Sequence, residues 1–263
     1  DISSKSGKTL HSIREKVLNT DQKREDVNLK YVFSLKKAHQ FTLGGEHVNE
    51  SLKSEGRLVN AKEDAYTLSA FAQDEIKLIK NLSLVAGVRY VKHKEFGNDF
   101  TPKLSTLYKF NNFNFRATYA KGFKAPTLKE LYYHYEKAGN LYLGNTDLDA
   151  QKSDYYSFSA EYIVSKLSLS LSAYQNSVDD MIAYQTVETS AADKADGIKK
   201  TRQHYNIGET KSQGIDFLFN VKVGGGFTLG GGYSYVDAMN ETDDIRLENA
   251  AQNYANFRLL YDR

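Results

Sequence analysis

Around position 134 the chain reads Tyr132-Tyr133-His134-Tyr135, one imidazole set among three phenols. Neutral imidazole is the usual proximal ligand of haem iron, and a tyrosine oxygen is an occasional one. The flanking rings offer flat apolar faces to a planar macrocycle, although a histidine in such a stretch reads equally well as a solvated loop residue. The other histidines, His11, His39, His47, His93 and His204, are not spaced closely enough to share a metal. There is no cysteine, so neither a thiolate metal site nor a disulfide framework can form. Asp179-Asp180 and Asp243-Asp244 carry oxygens suited to a hard cation, or simply make solvated faces. No G-x-S-x-G, phosphate-cradling glycine loop or H-E-x-x-H occurs, which predicts a protein that is not an enzyme.

The elements that hold these residues follow a period of two. Val27, Leu29, Tyr31, Phe33 and Leu35 alternate with Asn28, Lys30 and Ser34. Leu167, Leu169, Leu171 and Ala173 interleave with serines, and Ile215, Phe217, Phe219, Val221 and Val223 with Asp216, Asn220 and Lys222. Such alternation gives a strand one apolar and one polar face. It also places neighbours such as Asp74 and Glu75 on opposite faces, so they cannot act as an acid–base pair. Eleven strands are expected, near 24–36, 39–51, 64–78, 81–94, 102–110, 113–123, 153–164, 167–187, 202–223, 226–237 and 253–262. Their connections alternate in length. Tight turns fall near 36–39, 78–81, 110–113, 164–167 and 223–226, and long polar ones near 51–64, 93–101, 124–153, 187–202 and 237–253. All the short turns therefore lie on one rim and all the long loops on the other.

A transmembrane strand needs about 9–11 tilted residues, and loops sorted by length mark outer-membrane barrels. A soluble antiparallel sheet with one wet face would alternate in the same way but has no reason to sort its loops. The expected fold is thus all-β, an antiparallel up-and-down transmembrane β-barrel. The mean hydropathy of −0.57 fits, because every second strand residue faces a wet interior. Nineteen tyrosines and fourteen phenylalanines suit interfacial girdles, although no tryptophan is present. The net charge of +2, with both signs interspersed, gives no sign of nucleic-acid binding. Eleven is an odd count, and single-chain bacterial barrels close on even numbers. The reading expects 1–263 to be part of a larger barrel, with self-closure or edge pairing between two copies as alternatives.

Between the strands ending near 123 and starting near 153, the chain reads Gly122-Phe123-Lys124-Ala125-Pro126-Thr127-Leu128-Lys129-Glu130-Leu131-Tyr132 and later Gly144-Asn145-Thr146-Asp147-Leu148-Asp149-Ala150-Gln151-Lys152-Ser153. Pro126 would end ladder donation where the chain leaves the sheet. Thr127-x-x-Glu130 is a capping box that could start a helical turn through 131–135. These two stretches resemble the paired loop motifs of TonB-dependent outer-membrane receptors. Phe71-Ala72-Gln73-Asp74-Glu75, Leu84-Val85-Ala86-Gly87-Val88-Arg89-Tyr90 and Thr101-Pro102-Lys103-Leu104 extend the resemblance, in order, over roughly 64–220. Two departures stand out. Thr146 replaces a usual proline, and Ala150-Gln151 replaces a usual Pro-Glu, which predicts a return limb less restrained in φ.

The resemblance implies a receptor in the bacterial outer membrane, energised by the TonB complex through a plug domain that has no counterpart in this sequence. Within such a family, a loop histidine between the two motifs implies haem as cargo, with His134 as iron ligand. It implies ligand contacts from Tyr132, Tyr133, Tyr135, Phe123, Lys124, Pro126, Asn145, Asp147 and Leu148 in the outer loop 124–152. The alternative is that these motif residues only shape the loop. On the haem reading, haem is transported cargo rather than an intrinsic cofactor, and haem or a haem-carrier protein is a partner alongside outer-membrane lipid. Cobalamin and ferric-siderophore uptake share the same motifs, and a plugless ligand-binding or porin-like remnant is a further reading.

Overall fold

The computed structural model describes residues 2–3, 9–11, 20–247 and 250–262. Two short strands, β1 (Ile2–Ser3) and β2 (Thr9–His11), pair with each other. The main sheet carries eleven long strands: β3 (Asp21–Leu35), β4 (His39–Lys53), β5 (Lys62–Ile79), β6 (Leu82–His93), β7 (Gly97–Phe110), β8 (Phe113–Lys124), β11 (Gln151–Val164), β12 (Leu167–Val187), β13 (Lys200–Gly224), β14 (Phe227–Asn240) and β16 (Asn253–Tyr261). Each pairs antiparallel with the next long strand in sequence, giving an up-and-down meander. The shorter elements stand in the long connections. These are α1 (Leu128–Tyr132), β9 (His134–Lys137), β10 (Asn140–Leu143), α2 (Ala191–Ala195) and β15 (Ile245–Arg246). Among the described residues, β3 and β16 each have a neighbour on one side only.

The register carries the apolar side chains across the sheet as one continuous face. Leu29 lies beside Gly45, Tyr31 beside Leu43, Tyr90 beside Phe100, Phe158 beside Ala173, Leu171 beside Phe217, and Phe217 beside Tyr233. That face is bare, with Leu29 74% and Phe257 70% exposed. Such a sheet of exposed apolar surface far exceeds what a water-soluble monomer shows, and it is what lipid requires. Paired rings mark its borders. Phe33–Phe41, Phe113–Tyr162 and Phe227–Tyr261 lie toward the short turns, and Tyr90–Phe100 and Tyr119–Tyr156 toward the long loops. Tyrosine and phenylalanine thus supply the girdles that lack tryptophan. The opposite face is polar and cross-linked by Arg89–Glu46, Arg24–Glu50 and Arg116–Glu161.

One expected loop is corrected. The long connection near 93–101 is a three-residue turn, because β7 begins at Gly97 and pairs with His93. Gly97 takes a positive φ of 68° there. The remaining lengths sort as expected. β12 and β13 run 21 and 25 residues, about twice the 9–11 or so that a bilayer needs. On β13 the apolar face gives way above Ile215 to Gln213, Lys211 and Glu209, so its first half stands outside the membrane.

Candidate functional site

The connection from β8 to β11 leaves at Lys124, whose pairing with Gln151 is the last of the ladder, passes the buried Pro126, and turns into α1. Both capping-box bonds form: Thr127 Oγ1 accepts from the Glu130 N–H at 3.2 Å, and Glu130 accepts from the Thr127 N–H at 2.7 Å. The helix stops at Tyr132, earlier than the expected turn through 135, since Tyr133 is extended (ψ 137°) and His134 opens β9. Leu128 packs with Leu52, Leu58 and Ala65 in a small buried cluster, against which Tyr132 and Tyr133 lie. Leu52 and Ala65 belong to the polar face by register, so α1 sits on the inner side of β4 and β5. Tyr133 also bridges Leu58, and the His134 N–H donates to the Arg57 carbonyl at 2.9 Å.

The far end of the connection docks on β13. The β9–β10 ribbon lays β10 parallel to β13, with Tyr142 beside Arg202. The loop is therefore a strap across the polar face, fixed at β4–β5 and at β13. Its return limb is held by side-chain hydrogen bonds. Asn145 Oδ1 accepts from the Asp147 N–H (2.9 Å), Asn145 Nδ2 donates to the His204 carbonyl (3.1 Å), and Asn206 Oδ1 accepts from the Asp149 N–H (2.8 Å). Gly144 is required at the crossing, because a Cβ would collide with the Leu131 carbonyl.

The strap assembles a line of rings. Tyr133 meets Tyr135 at 5.4 Å, Tyr135 stacks on Tyr142 at 5.1 Å, Tyr142 meets Tyr184 at 5.9 Å, and Tyr184 lies 3.9 Å from His204. Arg57 stands over Tyr135 at 5.6 Å and Lys129 over Tyr133 at 5.8 Å, both cation–π distances. Tyr184 and His204 are cross-strand neighbours on the polar face. His204 is buried; a ring N–H faces the Leu143 carbonyl, and Nδ1 has no partner among the described residues. Burial holds its pKa below the usual 6.5, opposed by Glu130. The Tyr132 hydroxyl donates to Glu95 at 3.1 Å, and burial with that carboxylate raises its pKa to about 12. Glu130 is pushed up by burial, but the Thr127 bonds and Lys124 leave it below its usual value.

The residues read from the sequence are not gathered into one site. Tyr133 and Tyr135 join the ring line. His134 does not, because it pairs with Leu143 on the other side of the β9–β10 ribbon, exposed and without side-chain partners among the described residues. Lys124 and Pro126, with Phe123, line a cavity of about 570 Å³ over the Arg24–Glu50 and Arg89–Glu46 pairs. Phe123, Asp147 and the buried Leu148 line a second, of about 580 Å³. Tyr132 braces Glu95, and Asn145 is taken up by backbone bonds. His93, at its outer strand end, is buried and accepts the Glu95 and Phe96 N–H groups. No group of three or more metal-ligating side chains occurs among the described residues. Sequence reasoning missed Tyr142, Tyr184, His204, Arg57 and Lys129, whose convergence depends on where the strap docks.

A family model described as "TonB dependent receptor-like, beta-barrel" matches residues 6–263. Among solved structures, a mutant of the ferric enterobactin receptor PfeA from Pseudomonas aeruginosa superposes with a TM-score of 0.76 at 19% identity, over 92% of this chain and 39% of that one. The siderophore receptor PirA from Acinetobacter baumannii gives 0.73 at 20% identity, over 92% and 40%. The copper transporter OprC gives 0.75 at 15% identity, over 93% and 43%. The chain spans about two fifths of the length of these structures. Strands, loop sorting and family match agree: this chain belongs to the TonB-dependent receptors, a non-enzymatic family of the bacterial outer membrane, and forms part of their β-barrel.

Proposed function

We propose that the chain forms the ligand-receiving wall of a TonB-energised importer whose cargo is an anionic, aromatic ferric chelate of the siderophore type. The line Tyr133–Tyr135–Tyr142–Tyr184–His204, flanked by Arg57 and Lys129, carries this reading. Stacked phenols take flat rings, and the cations placed over Tyr133 and Tyr135 attract negative charge. Solved siderophore receptors share the fold, which adds support. Haem ligated by His134 is less favoured, since the imidazole faces away from the rings.

Titration of the intact receptor with a ferric tris-catecholate, haem and cobalamin side by side tests the reading. Equilibrium dialysis of each complex against the receptor reports occupancy. Saturable retention of the catecholate, weakened about tenfold or more by Tyr142→Ala, is expected. A haem-selective response with a histidine-ligated Soret band that His134→Ala abolishes would reject it and restore haem as cargo.

A further inference from the structure

The short-turn rim carries a concentration of unpaired positive charge. Lys36, Lys37, Lys77, Lys80, Lys109, Lys166 and Lys222 all lie at or beside the tight turns and are exposed. None forms an ion pair among the described residues. Toward the opposite rim some lysines are paired, Lys94 with Asp64, Lys121 with Asp154, Lys124 with Glu130 and Lys152 with Asp99, while others such as Lys53, Lys62 and Lys200 form no ion pair among the described residues.

Four of these lysines share a space. Lys37 from the β3–β4 turn, Lys77 and Lys80 from β5–β6, and Lys109 from β7–β8 line a cavity of about 570 Å³ together with Asn81 and Ser83, and no carboxylate lines it. Glu75 borders only the adjoining cavity and accepts from Gln73 at 3.3 Å. The three turns are laced together, so the lysine stems spring from a fixed frame. The Lys77 N–H donates to the Ala38 carbonyl (2.7 Å), the Lys109 N–H to the Asn81 carbonyl (2.8 Å), and Asn81 Nδ2 to the Lys109 carbonyl (3.2 Å). Ammonium groups crowded without counter-ions repel one another and raise the local potential, and a bound anion relieves both. Lysine supplies three rotatable donors as a point charge, suited to phosphate oxygens.

We propose that this cavity is a phosphoryl-anion site. Lys77, Ser83 and Lys109 share the polar face with Arg89 and Arg116 by register, so the cavity opens to the interior of the barrel and takes a free phosphoryl anion rather than a bilayer headgroup. The site is separate from the strap, so its failure leaves the cargo reading untouched.

Phosphorus NMR of the intact receptor in phosphorus-free zwitterionic micelles tests the proposal. Inorganic phosphate is titrated in one arm, and phosphatidylglycerol against phosphatidylcholine in the other. Saturable binding of phosphate is expected. It should weaken about tenfold or more in Lys77→Gln/Lys109→Gln, survive in Lys77→Arg/Lys109→Arg, and persist in Lys166→Gln on a separate turn. No saturable binding of phosphate, a response to phosphatidylglycerol alone, or equal weakening by Lys166→Gln overturns it.

Discussion

At the scale of single residues, the strap is governed by a few polar contacts that titrate. Burial keeps the His204 imidazole below 6.5, so the unfolded segment takes up the proton first. Strap docking should therefore hold steady above that value and weaken as the pH falls through it. Glu130, held below 4.5 by its capping bonds, adds stability above 4.5 that disappears only at lower pH. Hydrogen exchange of the β10 amides between about pH 8 and 5 should show acid-induced loosening, and His204→Phe should flatten the upper part of the curve. Thr127→Ala should cost the strap about 1 kcal/mol by removing its N-cap, and Asn145→Ala about 1–3 kcal/mol by leaving the buried His204 carbonyl unbonded. Limited proteolysis of residues 125–150 measures both. The capping box was legible from Thr127 and Glu130 alone because its spacing is local. His204 was not, because its partners lie some sixty residues away in sequence and meet it only through the strap.

At the scale of elements, period-two patterning located all eleven long strands, since a strand with lipid on one side must alternate. It misjudged the connection near 93–101, where polar residues that look like a loop are strand residues rising beyond the membrane. The β9–β10 ribbon was hidden for the converse reason: Tyr135 and Tyr142 are aromatic partners on a ribbon too short to show a period. The two faces should respond differently to charge. Leu171→Arg, on the apolar face, should cost about 2–4 kcal/mol, whereas Ser170→Arg, one residue along and facing inward, should cost far less. Urea-induced unfolding in lipid vesicles reads out the difference.

For the whole molecule, a continuous apolar face, two aromatic borders and loops sorted by length give one geometry: a sheet that crosses the bilayer and carries the strap and its line of rings on the inner face of its long-loop end. The family was legible because its motifs mark where the chain leaves and re-enters the sheet. The cargo was not, because it depends on which rings the strap brings together. Spin labels placed singly from 167 to 173 on β12, in vesicles, test the geometry directly through collisions with oxygen and with a polar nickel chelate. The account predicts strict alternation, with oxygen favoured at 167, 169, 171 and 173 and the nickel chelate at 168, 170 and 172. Uniform accessibility along the strand, or alternation of opposite phase, would contradict it.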